Sequence, residues 1–212
     1  INLNSFIVNY GFLSKHKIIK SIETILKNNF DVIPTFLELF KSSRKEVIIS
    51  SFNLNKGKVD YFSYKTHPDM CILAALSLSI NIPFIFEREM YNNNCYIDAG
   101  LMSNNLSWEY FNSVPSTNKL GIYLFIENSK SLLSPHSSLK NYILQIFKTY
   151  CKQSMLHYEK SICLSDENIF IIKEEELSFN VSNKLSLPSD EEIHCMLKHG
   201  YDEIQLYLKK KV

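Results

Sequence analysis

A chain of 212 residues, 45% hydrophobic and 21% charged, has the size and composition of one globular domain with its own core, which sets aside disordered, collagen-like and membrane-embedded classes. Lys and Arg total 23 against 22 for Asp and Glu, so no positive excess exists to hold nucleic acid or anionic lipid at long range, and any lipid contact must be local. The five cysteines, Cys71, Cys95, Cys151, Cys163 and Cys195, contain no C-x-x-C pair, which argues against a structural zinc site or a disulfide framework and for a reducing compartment.

From Ser14 to Asn29 the residues Ile18, Ile19, Ile22, Ile25 and Leu26 recur at helical spacing, opposite a lysine face. Thr35 and Glu38 form a capping-box signature that opens a short helix through Phe36, Leu37, Leu39 and Phe40. Glu46 to Phe52 and Val59 to Tyr64 are β-branched and aromatic runs joined across Gly57, which suits a turn position of positive φ, so they are expected to form a hairpin. A helical pattern runs from Pro68 through Met70, Ile72, Leu73, Ala74, Leu76 and Leu78, and must break before Pro83. Cys95 to Asp98 reads as a short strand ending on a carboxylate, and Gly121 to Glu127 as a strand buried on both faces. A long helix is expected from about Ser138 to Lys160, then a strand over Asn168 to Lys173. Ser189 and Glu192 form a second capping box, launching a helix through Ile193, Met196 and Leu197 that Gly200 is expected to kink or end. No repeat, linker or low-complexity tract divides the chain, so the reading is a single mixed α/β domain over residues 1–212.

The chemistry-bearing stretch runs from Val59 to Leu106. Its central block, A-A-L-S-L-S-I-N-I-P-F-I-F, holds Ser79, Pro83 and Phe86, and its last block, C-Y-I-D-A-G-L-M-S-N-N-L, holds Asp98, Ala99, Gly100 and Asn104. These blocks resemble those of the patatin-like phospholipase family, in which a helix ends at Ser-x-x-x-Pro before a Phe, and an Asp-Gly-Gly or Asp-Gly-Ala segment followed by Asn supplies the catalytic aspartate. Ala99 stands where the family usually has Gly, and Leu106 where it often has Pro. T-F-L-E-L at Thr35 to Leu39 and Gly200-Tyr201 after an acidic helix also fit, so the resemblance runs through nearly all of the chain. It implies a three-layer α/β sandwich with a central, mostly parallel sheet flanked by helices. It implies, too, a lipid acyl hydrolase in which Asp98 acts as base toward a serine nucleophile without an intervening histidine, with no cofactor or metal, a lipid or ester as substrate and transient contact with a membrane surface.

A serine hydroxyl is a weak nucleophile until a positioned base takes its proton, which is why a carboxylate beside small residues at a strand end suits this chemistry. The serine itself belongs in a G-x-S-x-G elbow between strand and helix. Gly11, Gly57, Gly100, Gly121 and Gly200 are never four apart, so these 212 residues hold no elbow and no glycine-rich oxyanion loop. The first residue is Ile1 rather than Met, and the expectation is that the elbow lies on an N-terminal segment that precedes it. The alternative is a non-catalytic relative acting as a structural or interaction subunit in an assembly.

Other candidates carry less. His194 and His199 are five apart and do not share a helix face as metal ligands would, and the six histidines read as ordinary surface or core residues. Ser77 and Ser79 belong to a helical run and read as packing or hydrogen-bonding residues. Lys209, Lys210 and Lys211 read as a solvated helix end. Tyr61, Phe62, Phe84, Phe86, Tyr91 and Trp108 could line an acyl-chain groove or simply pack a core. No run of eighteen apolar residues and no signal-peptide pattern is present, so the expected setting is intracellular, either soluble or peripherally membrane-associated.

Overall fold

The computed structural model describes residues 3–101, 121–127, 169–175 and 189–211, with scattered positions between 138 and 153. Helix α1 (Leu3–Asn9) leads through Tyr10, at φ 60°, into strand β1 (Gly11–Leu13) and the amphipathic helix α2 (His16–Lys27). Of the predicted stripe on α2, Ile18, Ile19, Ile22 and Leu26 are half-buried while Ile25 faces solvent. The first helix is held by ring packing, with Phe6 stacked on Phe12 at 4.3 Å between centroids and near Phe84 at 6.4 Å.

Helix α3 (Phe36–Ser43) starts at the predicted capping box. The Glu38 N–H donates to Thr35 Oγ1 (3.3 Å) and the Thr35 N–H to Glu38 Oε2 (2.8 Å), an arrangement that contributes about 1 kcal/mol to such a helix. Two further N–H groups of its first turn donate to the carbonyls of Met70 (3.1 Å) and Pro68 (3.0 Å). Residues 68–71 are thereby committed as a turn, which is why helix α4 (Ile72–Ser79) begins later than its apolar pattern.

Strands β2 (Ile49–Asn53) and β3 (Lys58–Phe62) form the expected antiparallel hairpin, with Gly57 at φ 63° in its turn. After α4 come β4 (Phe84–Phe86), β5 (Glu89–Tyr91) and β6 (Asn94–Ile97). The β5–β6 hairpin turns at Asn92 and Asn93, φ 47° and 61°, the paired positive angles that a tight hairpin of this hand demands and that Asn tolerates. The four strands make one antiparallel sheet in the order β3-β2-β6-β5. Packed on it, α4 completes a core of Phe36, Ile49, Phe62, Met70, Ile72, Ala75, Leu78 and Tyr96.

Parallel pairing joins β1 to β4 and β7 (Gly121–Glu127) to β8 (Ile169–Glu175), the latter in register from Gly121↔Ile169 to Glu127↔Glu175. The mixed α/β class read from the sequence is thus the one observed, with the parallel pairs set apart from the four-stranded antiparallel sheet. In the predicted helix from 138 to 160 the described positions from 141 to 153 are helical. The closing helix (Asp190–Lys211) runs 22 residues through Gly200, so of the two expectations for that glycine, a kink or an end, the end is not what is found. A single helical glycine costs about 1 kcal/mol, too little to stop a helix that packs against β8. No helix among the described residues is long and apolar enough to cross a membrane.

Candidate functional site

Asp98 sits one residue beyond β6, where buried Tyr96 and Ile97 bring the strand to its end. Its N–H donates to the Asn81 carbonyl at 2.8 Å, and its own carbonyl accepts from Leu101 N–H at 3.3 Å to close the single 3-10 turn Ala99–Leu101. Within that turn the Gly100 N–H donates to Asp98 Oδ1 at 2.8 Å, whereas Oδ2 has no hydrogen bond among the described residues. Burial pushes the Asp98 carboxyl above its ordinary value, and the Gly100 N–H opposes that shift. One oxygen of the carboxylate is therefore fixed and the other is left to accept.

The small residues beside it have separate reasons. Ala99 is 2% exposed and is not among the residues with positive φ, so a methyl group fits where more room is absent and glycine's freedom is not needed. At Gly100 a Cβ would lie 3.2 Å from Asp98 Oδ1, so glycine lets the backbone close on the carboxylate. Asn104 lies outside the described residues, as does Trp108.

Ser79 is the last residue of α4 and is half-buried, and Pro83 leads into β4. The loop between them reaches Asp98 through Asn81, so the structure brings the two predicted blocks together on a residue that the motif reading passed over. Phe84, directly after Pro83, has φ 66° and is 44% exposed, while Phe62 and Phe86 are core residues at 0% and 7%. The aromatic set thus divides, with Phe62 and Phe86 spent on packing and Phe84 facing solvent.

Two polar networks escaped the sequence reading. In one, Asn53 Nδ2 donates to Asp60 Oδ2 (2.9 Å) and to Tyr96 OH (3.0 Å), and Tyr96 OH donates to Asp60 Oδ2 (2.8 Å). Burial alone would raise the Asp60 carboxyl, but these hydrogen bonds and the charges of Lys56 and Lys58 outweigh it and hold it below the usual range. Burial and the Asp60 hydrogen bond push the Tyr96 hydroxyl up to about 12. In the other, Lys15 Nζ donates to Ser77 O (2.7 Å) and pairs with Glu89, whose two carboxylate oxygens accept from Ser77 Oγ at 2.7 and 2.8 Å. Ser77 is consequently a partner of Glu89 and ties α4 to β5. Nothing in the spacing of Lys15, Ser77 and Glu89 announces this, since each comes from a different element.

No protein-family profile matches the chain. Over 95 residues, 44% of its length, the chain is 43% identical to a protein of Invertebrate iridescent virus 6 named "Probable lipid hydrolase 463L". Those residues cover 33% of the viral protein, so the chain spans about a third of the length of the curated relative it matches.

Proposed function

We propose that the chain is the aspartate-bearing part of a lipid hydrolase of the patatin-like type, cleaving acyl esters with Asp98 as the base for a serine supplied from beyond these 212 residues. The observation that carries this reading is the Asp98 carboxylate, with Oδ1 pinned by Gly100 and Oδ2 open, on a strand end beside two small residues. The 43% identity to a protein named as a lipid hydrolase supports the reaction class. Asp98 Oδ2 takes the hydroxyl proton as the serine oxygen bonds to the ester carbonyl carbon; the alcohol leaves with that proton, and an acyl-serine remains. Water, deprotonated by the same carboxylate, then attacks the acyl-serine to release the fatty acid and return the serine. No cofactor or metal enters either step, and contact with a lipid surface is transient.

The test is covalent. A fluorophosphonate probe is expected to label a longer protein in which a G-x-S-x-G segment is joined to these residues, and to leave the 212-residue chain unlabelled. Stoichiometric labelling of the 212-residue chain would place the nucleophile inside it and defeat the proposed division of the dyad. If the longer product carries neither label nor esterase activity, the non-catalytic interaction subunit becomes the better reading; its motivation is the missing G-x-S-x-G in these residues.

Gly100→Ala provides a finer check. The added Cβ presses on Oδ1 at 3.2 Å, so the carboxylate must move by a few tenths of an ångström. The expected result is a several-fold fall in kcat with KM nearly unchanged, read on a p-nitrophenyl butyrate assay of the longer protein. A fall confined to KM would mean that the turn contacts substrate instead of setting the base.

A further inference from the structure

The peptide unit that joins Ile97 to Asp98 is gripped at both of its polar ends by buried side chains or backbone from other elements. On one side, Ser51 of β2, 0% exposed, has its Oγ 2.8 Å from the Ile97 carbonyl and 3.0 Å from the carbonyl of Leu78. Leu78 lies in the last turn of α4, where helix carbonyls run out of internal partners, so the hydroxyl is shared between the helix end and the strand end. On the other side, Asn81 receives the Asp98 N–H on its carbonyl and donates Nδ2 to the Tyr96 carbonyl, both at 2.8 Å, thus bracketing Ile97.

Neither residue is what packing alone selects. The inner face of β2 carries Ile49, Ser51 and Asn53, and an apolar residue at position 51 would suit the α4 contact without any polar group to satisfy. Asn81 is 2% exposed, and its buried Oδ1 has no hydrogen-bond partner among the described residues. A flipped amide would set Oδ1 against the Tyr96 carbonyl and is worse. The Asn81 amide holds the Tyr96 carbonyl while its main-chain carbonyl holds the Asp98 N–H, so the side chain fixes the loop from which that carbonyl reaches Asp98.

We infer that Ser51 and Asn81 are positioning residues for Asp98, holding the Ile97–Asp98 peptide so that the carboxylate meets the serine hydroxyl at productive distance. This rests on the proposed role of Asp98. With Gly100 fixing Oδ1, the residue is tied at its N–H, at the preceding carbonyl and at one carboxylate oxygen, and Oδ2 has no hydrogen bond among the described residues. Such preorganisation matters because displacement of a reacting group by about 1 Å can cost on the order of a hundredfold in rate.

The experiment compares Ser51→Ala, Ser51→Cys, Asn81→Ala, Asn53→Ala and Asp98→Ala in the longer protein, assayed on p-nitrophenyl butyrate well below each variant's melting temperature. Ser51→Ala removes the donor in a side chain of nearly the same volume, and Ser51→Cys keeps a weak donor in a slightly larger one, so the pair separates loss of the hydrogen bond from a change in packing. Asn53→Ala is the stability control, because Asn53 is equally buried two residues along β2 but bonds Asp60 and Tyr96 OH instead of the Asp98 peptide. The expected result is a fall in kcat of roughly tenfold or more for the Ser51 and Asn81 variants, with KM within about twofold, while Asn53→Ala lowers the melting temperature and keeps kcat. If the Ser51 and Asn81 variants match Asn53→Ala in kcat while Asp98→Ala is inactive, the positioning role is overturned and the base role stands. Activity that survives Asp98→Ala overturns both.

Discussion

Asp98→Asn is expected to lower kcat on an ester substrate by a factor on the order of 10² to 10⁴ while leaving the melting temperature unchanged or higher. The loss follows from chemistry, since the amide oxygen cannot take a proton from serine. Retained stability follows from electrostatics. Burial raises the Asp98 carboxyl above its unfolded value, so its contribution to stability is complete only below the unfolded value and is lost as pH rises through the folded one. At neutral pH the ionised form is a cost to the fold, and asparagine removes that cost while its Oδ1 still accepts the Gly100 N–H. With Asp98 as the proposed base, which must be ionised to act, the same shift is expected to make turnover fall off at a higher pH than an ordinary aspartate would give. Undiminished turnover by Asp98→Asn removes Asp98 from the chemistry, and a melting temperature several degrees lower contradicts the account of its burial.

A large loss of stability is expected from Gly11→Ala. This residue opens β1 opposite Phe84, and a Cβ there would overlap the backbone carbonyl of Phe86 and the N–H side of Glu87. The obstruction is backbone, so no side chain can swing aside, and Gly11→Ala must push β1 from β4. A cost of about 3 kcal/mol is expected, read as a lower urea midpoint with little change in slope. Because β4 follows directly from the Asn81 loop, displacement should also reach Asp98 and reduce kcat. A Gly11→Ala variant with unchanged stability would show that β1 and β4 do not pair in solution as described.

Much of the local structure was legible because its causes lie within a few residues. Thr35 and Glu38 are three apart, Gly57 supplies its own positive φ, and Pro83 blocks the continuation of α4 by itself. The short strands β1, β4 and β5 were missed for the converse reason. Three residues are too few to show a period, and β1 finds its partner at Phe84–Phe86, far along the chain. One signal was available and unused, namely the Asn92-Asn93 pair that turns β5 into β6. At Gly200 the helix does not end, because a helix of 22 residues can absorb the cost of one glycine.

The candidate site divides along the same line. The sequence by itself determined that a carboxylate ends a strand beside two small residues, and that a helix runs out before Pro83, since both follow from residue type and near neighbours. Only the tertiary structure decided that these two segments meet at Asn81, that Ser51 on a third element binds the carbonyl before Asp98, and that the Gly100 N–H takes Oδ1. Ser51 and Ile97 are 46 positions apart, and a hydroxyl on a β-strand reads as solvent-facing or packed alike until the chain closes over it. Pairing across such distances is settled by how the core assembles, and with it the geometry from which Asp98 would act.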